Sequence, residues 1–136
     1  MKDEWGLFQL EHENGEIWII RKNFYPLPEG KSEQDFPICI YFSVRYQPST
    51  DNGFPSSDDL DALEDIEAIL VELCDGRYST FVNTVFMPQL KDFIIYTSEP
   101  DKLGSTLQSK LSSFNQFNFE FGGSEDLEWS QYKSFE

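Results

Sequence analysis

Residues 56–75 read SSDDLDALEDIEAILVELCD, and this stretch decides what kind of fold the chain can adopt. Its apolar residues recur at spacings of three and four, which places them on one stripe of an α-helix. These residues are Leu60, Leu63, Ile66, Leu70 and Leu73. Ser56 or Ser57 can cap the helix, acids in its first turn suit the positive end of the helix dipole, and Asp75-Gly76 ends it. The sequence therefore predicts an amphipathic helix.

The segments on either side of this helix have the composition of short β-strands. They are residues 5–11, 16–22 and 37–46 before it, and residues 77–87, 91–97 and 117–121 after it. Most are rich in β-branched and aromatic residues and are bounded by turn-forming ones. Asn14-Gly15 supplies the positive φ angles of a tight turn, which predicts that the first two strands form a hairpin.

A second helix is predicted over residues 99–114, opening at Glu99-Pro100-Asp101. Gly104 and four serines make this segment a poor helix former on its own, so tertiary packing has to hold it. Gly122-Gly123 is expected to break the last strand, and an acidic and aromatic tail over residues 125–135 follows.

The order of these elements predicts the fold class. Along the chain, the predicted order is three strands, a helix, two strands, a second helix and a last strand. The connections between them are short enough for antiparallel pairing. We therefore expect an α+β fold, with a mainly antiparallel sheet of about six strands and two helices packed on one face. A chain of 136 residues has the size of one domain, so we expect residues 1–136 to form a single domain.

Composition restricts where the protein works and what it binds. The net charge is -15, which argues against binding nucleic acid or an anionic membrane, because both require a basic surface. No stretch is long and apolar enough to span a membrane, and residues 1–8 do not have the pattern of a secretory signal. Cys39 and Cys74 lie in apolar surroundings without metal-ligand spacing, so we expect reduced thiols and a cytoplasmic location.

The acids are concentrated in the first predicted helix. Eight acids and no basic residue occur between residues 58 and 75: Asp58, Asp59, Asp61, Glu64, Asp65, Glu67, Glu72 and Asp75. Two interpretations stay open at this point. The helix is either a solvated face that aids solubility or an electrostatic landing site for a basic protein.

Nothing in the sequence identifies a catalytic centre, a cofactor site or a dedicated metal site. His12 is the single histidine and lies beside the predicted hairpin turn, away from any nucleophile it could activate. No phosphate-binding glycine loop is present, and the spacing of Asp58, Asp59 and Asp61 does not match a calcium loop. We therefore expect a non-enzymatic protein without a cofactor.

Aromatic residues in the proline-containing loops are a second candidate feature. Phe24, Tyr25 and Phe54 lie where burial is not assured. They are either lids over the sheet edges or exposed anchors of a protein-binding surface.

Several short motifs resemble, in order, those of a small bacterial family called domain of unknown function six hundred and ninety-five. They are the closing run from Asp126 to Tyr132, Trp5 with Phe8, Asn52-Gly53-Phe54-Pro55 before an acidic helix, and residues 92–96 followed by 99–103. The chain departs from the family pattern between Phe24 and Phe36. Members of the family resemble the regulator of ribonuclease activity B, an acidic α+β inhibitor of a ribonuclease. The resemblance implies partner binding and assigns no catalytic residue.

Three functional hypotheses follow. The leading one is an inhibitor or immunity-type protein that binds a basic nucleic-acid-handling protein, such as a nuclease toxin or ribonuclease, through Asp58, Asp59, Asp61, Glu64, Asp65 and Phe54. The second is a small-ligand-binding or weakly catalytic domain whose pocket, between sheet and helices, is lined by Trp129 and Tyr132 or by Trp5. The third is a subunit of a larger assembly whose acidity serves only solubility.

Overall fold

A computed structural model describes residues 5–11, 17–48 and 54–133. Their centre is one antiparallel sheet of six strands, in the order β1-β2-β4-β5-β3-β6. The strands are β1 Trp5–Glu11, β2 Ile17–Asn23, β3 Ile38–Arg45, β4 Ser79–Met87, β5 Leu90–Thr97 and β6 Asn118–Glu125. The last of them, β6, forms one edge of the sheet and pairs with β3.

Three α-helices and one 3-10 turn complete the described chain. The helices are α1 Ser57–Leu73, α2 Pro100–Lys110 and the short α3 Ser130–Lys133, and the 3-10 turn is Glu33–Asp35. Ser56 caps α1 by accepting a hydrogen bond from the backbone N–H of Asp59 at 3.2 Å. The helix α2 begins with Pro100. An N–H at this position would have no partner within the helix, so proline, which lacks it, costs no helical hydrogen bond.

Both longer helices pack on the same face of the sheet. Alternate residues of β3, namely Ile40, Phe42 and Val44, point into this helix-side core, as the period of a strand requires. From α1 the core receives Leu63, Ile66 and Leu70, and from α2 with its C-cap it receives Leu103, Leu107 and Leu111. The predicted α+β architecture, with two helices on one face of an antiparallel sheet, is therefore confirmed.

The opposite face of the sheet has a smaller core of its own, which we call the tail-side core. Its buried residues are Phe36, Cys39, Val82, Ile94, Tyr96 and Trp129. Trp129 stacks on Tyr96 with 4.2 Å between ring centroids, and its Nε1 donates to the carbonyl oxygens of Glu33 and Phe36 at 3.1 and 3.0 Å. The tail therefore closes the face of the sheet that the helices leave open.

Three details differ from the sequence-based expectations. Gly122-Gly123 does not end the last strand, because β6 continues to Glu125 in unbroken register with β3. A Cβ at Gly122 would overlap the phenol of Tyr41, so these glycines permit close strand pairing rather than interrupting it. Leu60 is 38% exposed instead of lying in the buried stripe of α1. The second helix ends at Lys110, earlier than predicted.

Some sequence-based predictions fall outside the described residues. These are the turn at Asn14-Gly15, the role of His12, the pair Asn52-Gly53 and the side chain of Phe8. The antiparallel pairing of β1 with β2 is described, from Trp5 opposite Asn23 to Glu11 opposite Ile17.

Candidate functional site

The outward face of α1 carries most of the acids predicted to contact a partner. Asp58, Asp61 and Asp65 follow one another at spacings of three and four and are all exposed, with Glu64 exposed beside them. Asp59 is half-buried, because it lies one turn before the buried Leu63 at the border of the packed face. None of these five acids forms an ion pair with another described residue. The structure thus brings four of them together and sets Asp59 apart.

One acid of α1, Glu67, points the other way and ties the helix to the sheet. Its carboxylate accepts hydrogen bonds from Nη1 of Arg21 on β2 at 3.0 and 2.9 Å, and it lies 3.7 Å from Nζ of Lys91 on β5. Burial lowers the pKa of Lys91, and the Glu67 carboxylate opposes that shift. Glu67 therefore belongs to the packing of α1 and not to its outward face.

Phe54 lies just before the cap of α1 and is half-buried. Its ring meets the ring of Phe86 edge-on, with 5.1 Å between centroids. Phe86 packs against the helix-side core, so Phe54 extends that core toward the N-terminus of α1. The other loop aromatics, Phe24 and Tyr25, are 43% and 42% exposed.

Two exposed apolar side chains border the acidic face of α1 on the side of Glu67. Leu60 and Val71 are 38% and 56% exposed, and they lie on the turns beside Glu64 and Glu67. Protein-binding surfaces combine buried apolar anchors with a polar rim, so α1 presents both classes of side chain to solvent.

An apolar groove lies between α2 and the edge of the sheet. Its volume is about 860 Å³, and its apolar walls include Gly104, Leu107 and Leu111 on one side and Phe117, Phe119 and Phe121 on the other. Polar residues complete the lining, among them Asp101, Gln108 and Glu120. Gly104 leaves this space open, because it has no side chain to fill it. The sequence contains both halves of the groove, a glycine in a weak helix and an alternating phenylalanine run, but their meeting depends on the sheet order.

A polar cavity of about 600 Å³ lies on the tail side of the sheet. Its walls include Tyr41, Ser43, Asp92 and Asp126. The hydroxyl of the buried Ser43 donates to Oδ1 of Asp92 at 2.5 Å, and burial raises the pKa of this carboxyl. Three carboxylates and no basic side chain line the cavity, the third being Glu125. Reasoning from sequence gave no role to Ser43 or Asp92. Asp92 opens the family-like motif at residues 92–96, but only the pairing of β3 with β5 places Ser43 opposite it.

The aromatic residues expected to line a ligand pocket do not face the two cavities described above. Trp5, Trp129 and Tyr132 line neither the apolar groove nor the polar cavity. Trp129 is buried in the tail-side core, and Trp5 packs edge-on against Phe81 with 5.2 Å between centroids.

The two cysteines are separate and protonated at neutral pH. Cys39 is buried in the tail-side core, whereas Cys74 packs against the helix-side core, and both are free thiols. Burial raises the pKa of Cys74 to about 12 and also raises the pKa of Cys39. Neither thiol has the electropositive setting that activates a cysteine nucleophile.

Neither a metal-binding cluster nor a membrane-spanning helix is found in the described part of the chain. Over residues 5–11, 17–48 and 54–133, no three His, Cys, Asp or Glu side chains are placed so that they could hold a metal ion. Within the same ranges, no helix combines the length and the apolar character required to cross a bilayer.

Comparison with known proteins gives a family and no activity. No significant match was found among curated proteins or among solved structures. A family model described as a family of unknown function (DUF695) matches residues 3–135, which is nearly the whole sequence. The chain therefore belongs to the family of unknown function DUF695.

Proposed function

We propose that this protein is a non-catalytic inhibitor or immunity-type protein that docks the outward face of α1 on a basic nucleic-acid-handling protein, such as a nuclease toxin or a ribonuclease. The observation that carries the proposal is the set of exposed acids Asp58, Asp61, Glu64 and Asp65, which have no ion-pair partner among the described residues. Asp59 and Phe54 would contact the partner from the border of this face.

The electrostatics of such a partner match this face. An enzyme that binds phosphates has a basic cleft, and an acidic surface that occupies the cleft excludes the nucleic acid. A net charge of -15 also steers diffusion toward a basic protein, which raises the association rate at low salt. The apolar Leu60 and Val71, at the border of the acidic face, would then lose water within the contact.

The family supports the proposal indirectly. The resemblance noted in the sequence analysis would relate this family to the regulator of ribonuclease activity B, an inhibitor that binds its enzyme. A bacterial cytoplasmic setting would suit both that resemblance and two thiols that remain unpaired.

The test is a tagged pull-down from the native cell, washed at low and then at high salt. One basic nuclease should be recovered at low salt and released as the salt rises, because screening weakens an interface of exposed charges. A variant with Asp58, Asp61 and Asp65 changed to Asn should lose the nuclease. The matched control changes the exposed Glu29, Glu99 and Glu128 to Gln, which removes the same charge outside α1 and should retain it. Equal recovery with the two variants would contradict the proposal.

A second candidate function, binding of a small ligand, is favoured by the polar cavity on the tail side. Three carboxylates, several hydroxyls and the phenol of Tyr41 suit a small cation with hydrogen-bonding groups. Titration calorimetry with a set of amines, on the protein and on Asp92→Asn, tests it. Binding that depends on Asp92 would support this candidate, and the absence of binding heat for every amine would remove it.

A further inference from the structure

The outer edge of β6 is a surface that the function proposed above does not use. This strand pairs with β3 over eight residue pairs, from Arg45 opposite Asn118 to Ile38 opposite Glu125. On its other side, within the part of the chain that the structure describes, no strand pairs with β6 and no backbone hydrogen bond joins residues 118–125 to a loop. An edge strand presents a row of N–H and C=O groups that can pair with another chain.

This edge carries two acids but lacks the other features that commonly prevent such pairing. Its sequence, NFEFGGSE, contains no lysine and no proline, and its register with β3 has no bulge. Strand edges in soluble proteins are commonly protected by one of these devices. The edge of β6 is therefore available to an added strand.

The apolar groove lies beside the same edge. Phe119 and Phe121 point from β6 toward α2 and form one wall of the groove, and Phe121 is 43% exposed. Side chains of an added strand would alternate between the two faces of the sheet, so every second one would lie next to this groove. One extended segment could thus use the edge and the groove together.

Charge decides which extended segment fits. On the opposite face of β6, Glu120 forms an exposed ion pair with Nε of Arg45 on β3 at 3.0 Å, and Glu125 ends the strand. The Glu120 side chain is 55% exposed, so a basic residue on the added strand would share its carboxylate with Arg45 across the new ladder. A second copy of this chain would instead bring two chains of net charge -15 together, which electrostatic repulsion opposes.

We propose that β6 and the apolar groove bind an extended segment of a partner protein as a seventh strand, with apolar side chains toward α2 and basic side chains toward Glu120. The proposal deepens the function given above by adding a second contact surface, and it rests on that function only for the basic character of the partner. Strand addition supplies affinity through the backbone and specificity through alternate side chains.

The experiment selects binding peptides of about twelve residues from a random display library on the whole protein. The blocking variant is Gly104→Leu, which fills the groove. A Cβ at Gly104 meets Phe121 at 3.4 Å, an ordinary contact, and leucine is a better helix former than glycine, so this variant should fold. The control is Ser109→Leu, which adds the same side chain to an exposed position of α2 outside the groove.

The selected peptides should alternate apolar and basic residues and should slow amide hydrogen exchange in residues 118–125. Gly104→Leu should weaken their binding by about tenfold or more, whereas Ser109→Leu should not. Selection of peptides without alternation, equal binding to both variants, or failure to enrich any peptide would overturn the proposal. So would a dimer of this chain that occupies the edge, or a small apolar molecule bound in the groove of the purified protein.

This result separates the two proposals. The variant in which Asp58, Asp61 and Asp65 are changed to Asn keeps the groove and the edge of β6 intact. It should therefore bind the selected peptides as the original protein does. If this variant loses the nuclease but binds the peptides unchanged, the two surfaces act independently: α1 is required for the nuclease, and the site at β6 does not depend on it.

Discussion

Gly122 and Gly123 illustrate what single residues contribute that a sequence pattern does not reveal. Two adjacent glycines near the end of a strand predict a break, since glycine is a weak strand former. Here they lie under Tyr41 and Ile40 of β3, where a side chain would collide. Trp129 is similar, because its burial depends on two carbonyl groups more than ninety positions away in sequence. Such contacts become visible only when the strand order is known.

The two glycines should respond differently to alanine. At Gly123 the new Cβ would overlap Cδ1 of the buried Ile40 and lie 3.0 Å from the carbonyl oxygen of Cys39, so Gly123→Ala should cost about 1–3 kcal/mol. At Gly122 it would meet only the phenol of Tyr41, which is 47% exposed and can rotate into solvent. Gly122→Ala should therefore change stability by less than about 1 kcal/mol. Urea denaturation of both variants measures the difference, and equal costs would contradict this account.

The indole N–H of Trp129 should contribute separately from its ring. Trp129→Phe keeps an aromatic ring on Tyr96 but removes the donor to the carbonyls of Glu33 and Phe36. Leaving those acceptors unpaired should lower the free energy of unfolding by about 1–3 kcal/mol. The control Leu127→Ala, at a neighbouring exposed position, should change it by about 0.5 kcal/mol or less. A Trp129→Phe variant with the same free energy of unfolding as the original protein would show that a water molecule replaces the indole N–H as hydrogen-bond donor.

At the scale of elements, the sequence patterns predicted helices and strands well where one physical rule dominates. The leucine spacing and the serine cap located α1, and β-forming composition located the strand from Ile38 to Arg45. The patterns failed for Leu60 and Glu67. Both belong to α1, yet the apolar one is partly exposed and the charged one points inward, because β2 and β5 place Arg21 and Lys91 beneath the helix.

Glu67 should therefore stabilise the docking of α1, unlike its acidic neighbours. Glu67→Gln removes the charge that balances the buried Lys91 and the partly exposed Arg21. We expect a loss of about 1–3 kcal/mol in the free energy of unfolding, less than for a fully buried pair because Arg21 remains accessible to water. Glu64→Gln is the matched control one turn away, where the acid has no ion pair, and it should be nearly neutral. Similar losses in the two variants would disprove an inward role for Glu67.

At the scale of the whole molecule, the fold class followed from the order of elements, but the sheet order did not. Short connections predict antiparallel neighbours, yet β3 lies between β5 and β6, far from β2. The groove and the polar cavity depend on that arrangement, so neither could be predicted. The acids of α1 needed only helical spacing, which is why they were identified from sequence.

Salt should affect the stability of the protein and its proposed binding in opposite directions. A chain of net charge -15 repels itself when compact, so raising NaCl from about 0.02 M to about 0.5 M should raise the urea midpoint by screening. The same change should weaken a complex with a basic partner. Potassium chloride is a useful control, since an equal effect would show that the cation identity does not matter. A midpoint that falls with salt would mean that attractive ion pairs dominate stability.

Alkaline pH should destabilise the fold. Burial raises the pKa of Cys74 to about 12 and raises those of Tyr46 and Tyr96 above their usual values of 10.0. The folded state then holds protons that the unfolded chain releases from about pH 9 upward, so stability is lost as pH rises through that window. The lowered pKa of Lys91 acts in the opposite direction. Cys74→Ala should make the decline shallower in urea titrations between about pH 8 and 11, and an unchanged slope would exclude the thiol as a cause.

The position of Trp129 has a consequence for how the chain is made. A ribosome releases Phe36, Cys39 and Tyr96 long before it releases the tryptophan that covers them. Until then the helix-side core can assemble while the tail-side face of the sheet remains exposed to water. Nascent chains would therefore present an exposed aromatic patch to chaperones. Synthesis of the segment that contains Trp129 therefore completes the tail-side core, and a premature stop before Asp126 would leave that face of the sheet uncovered.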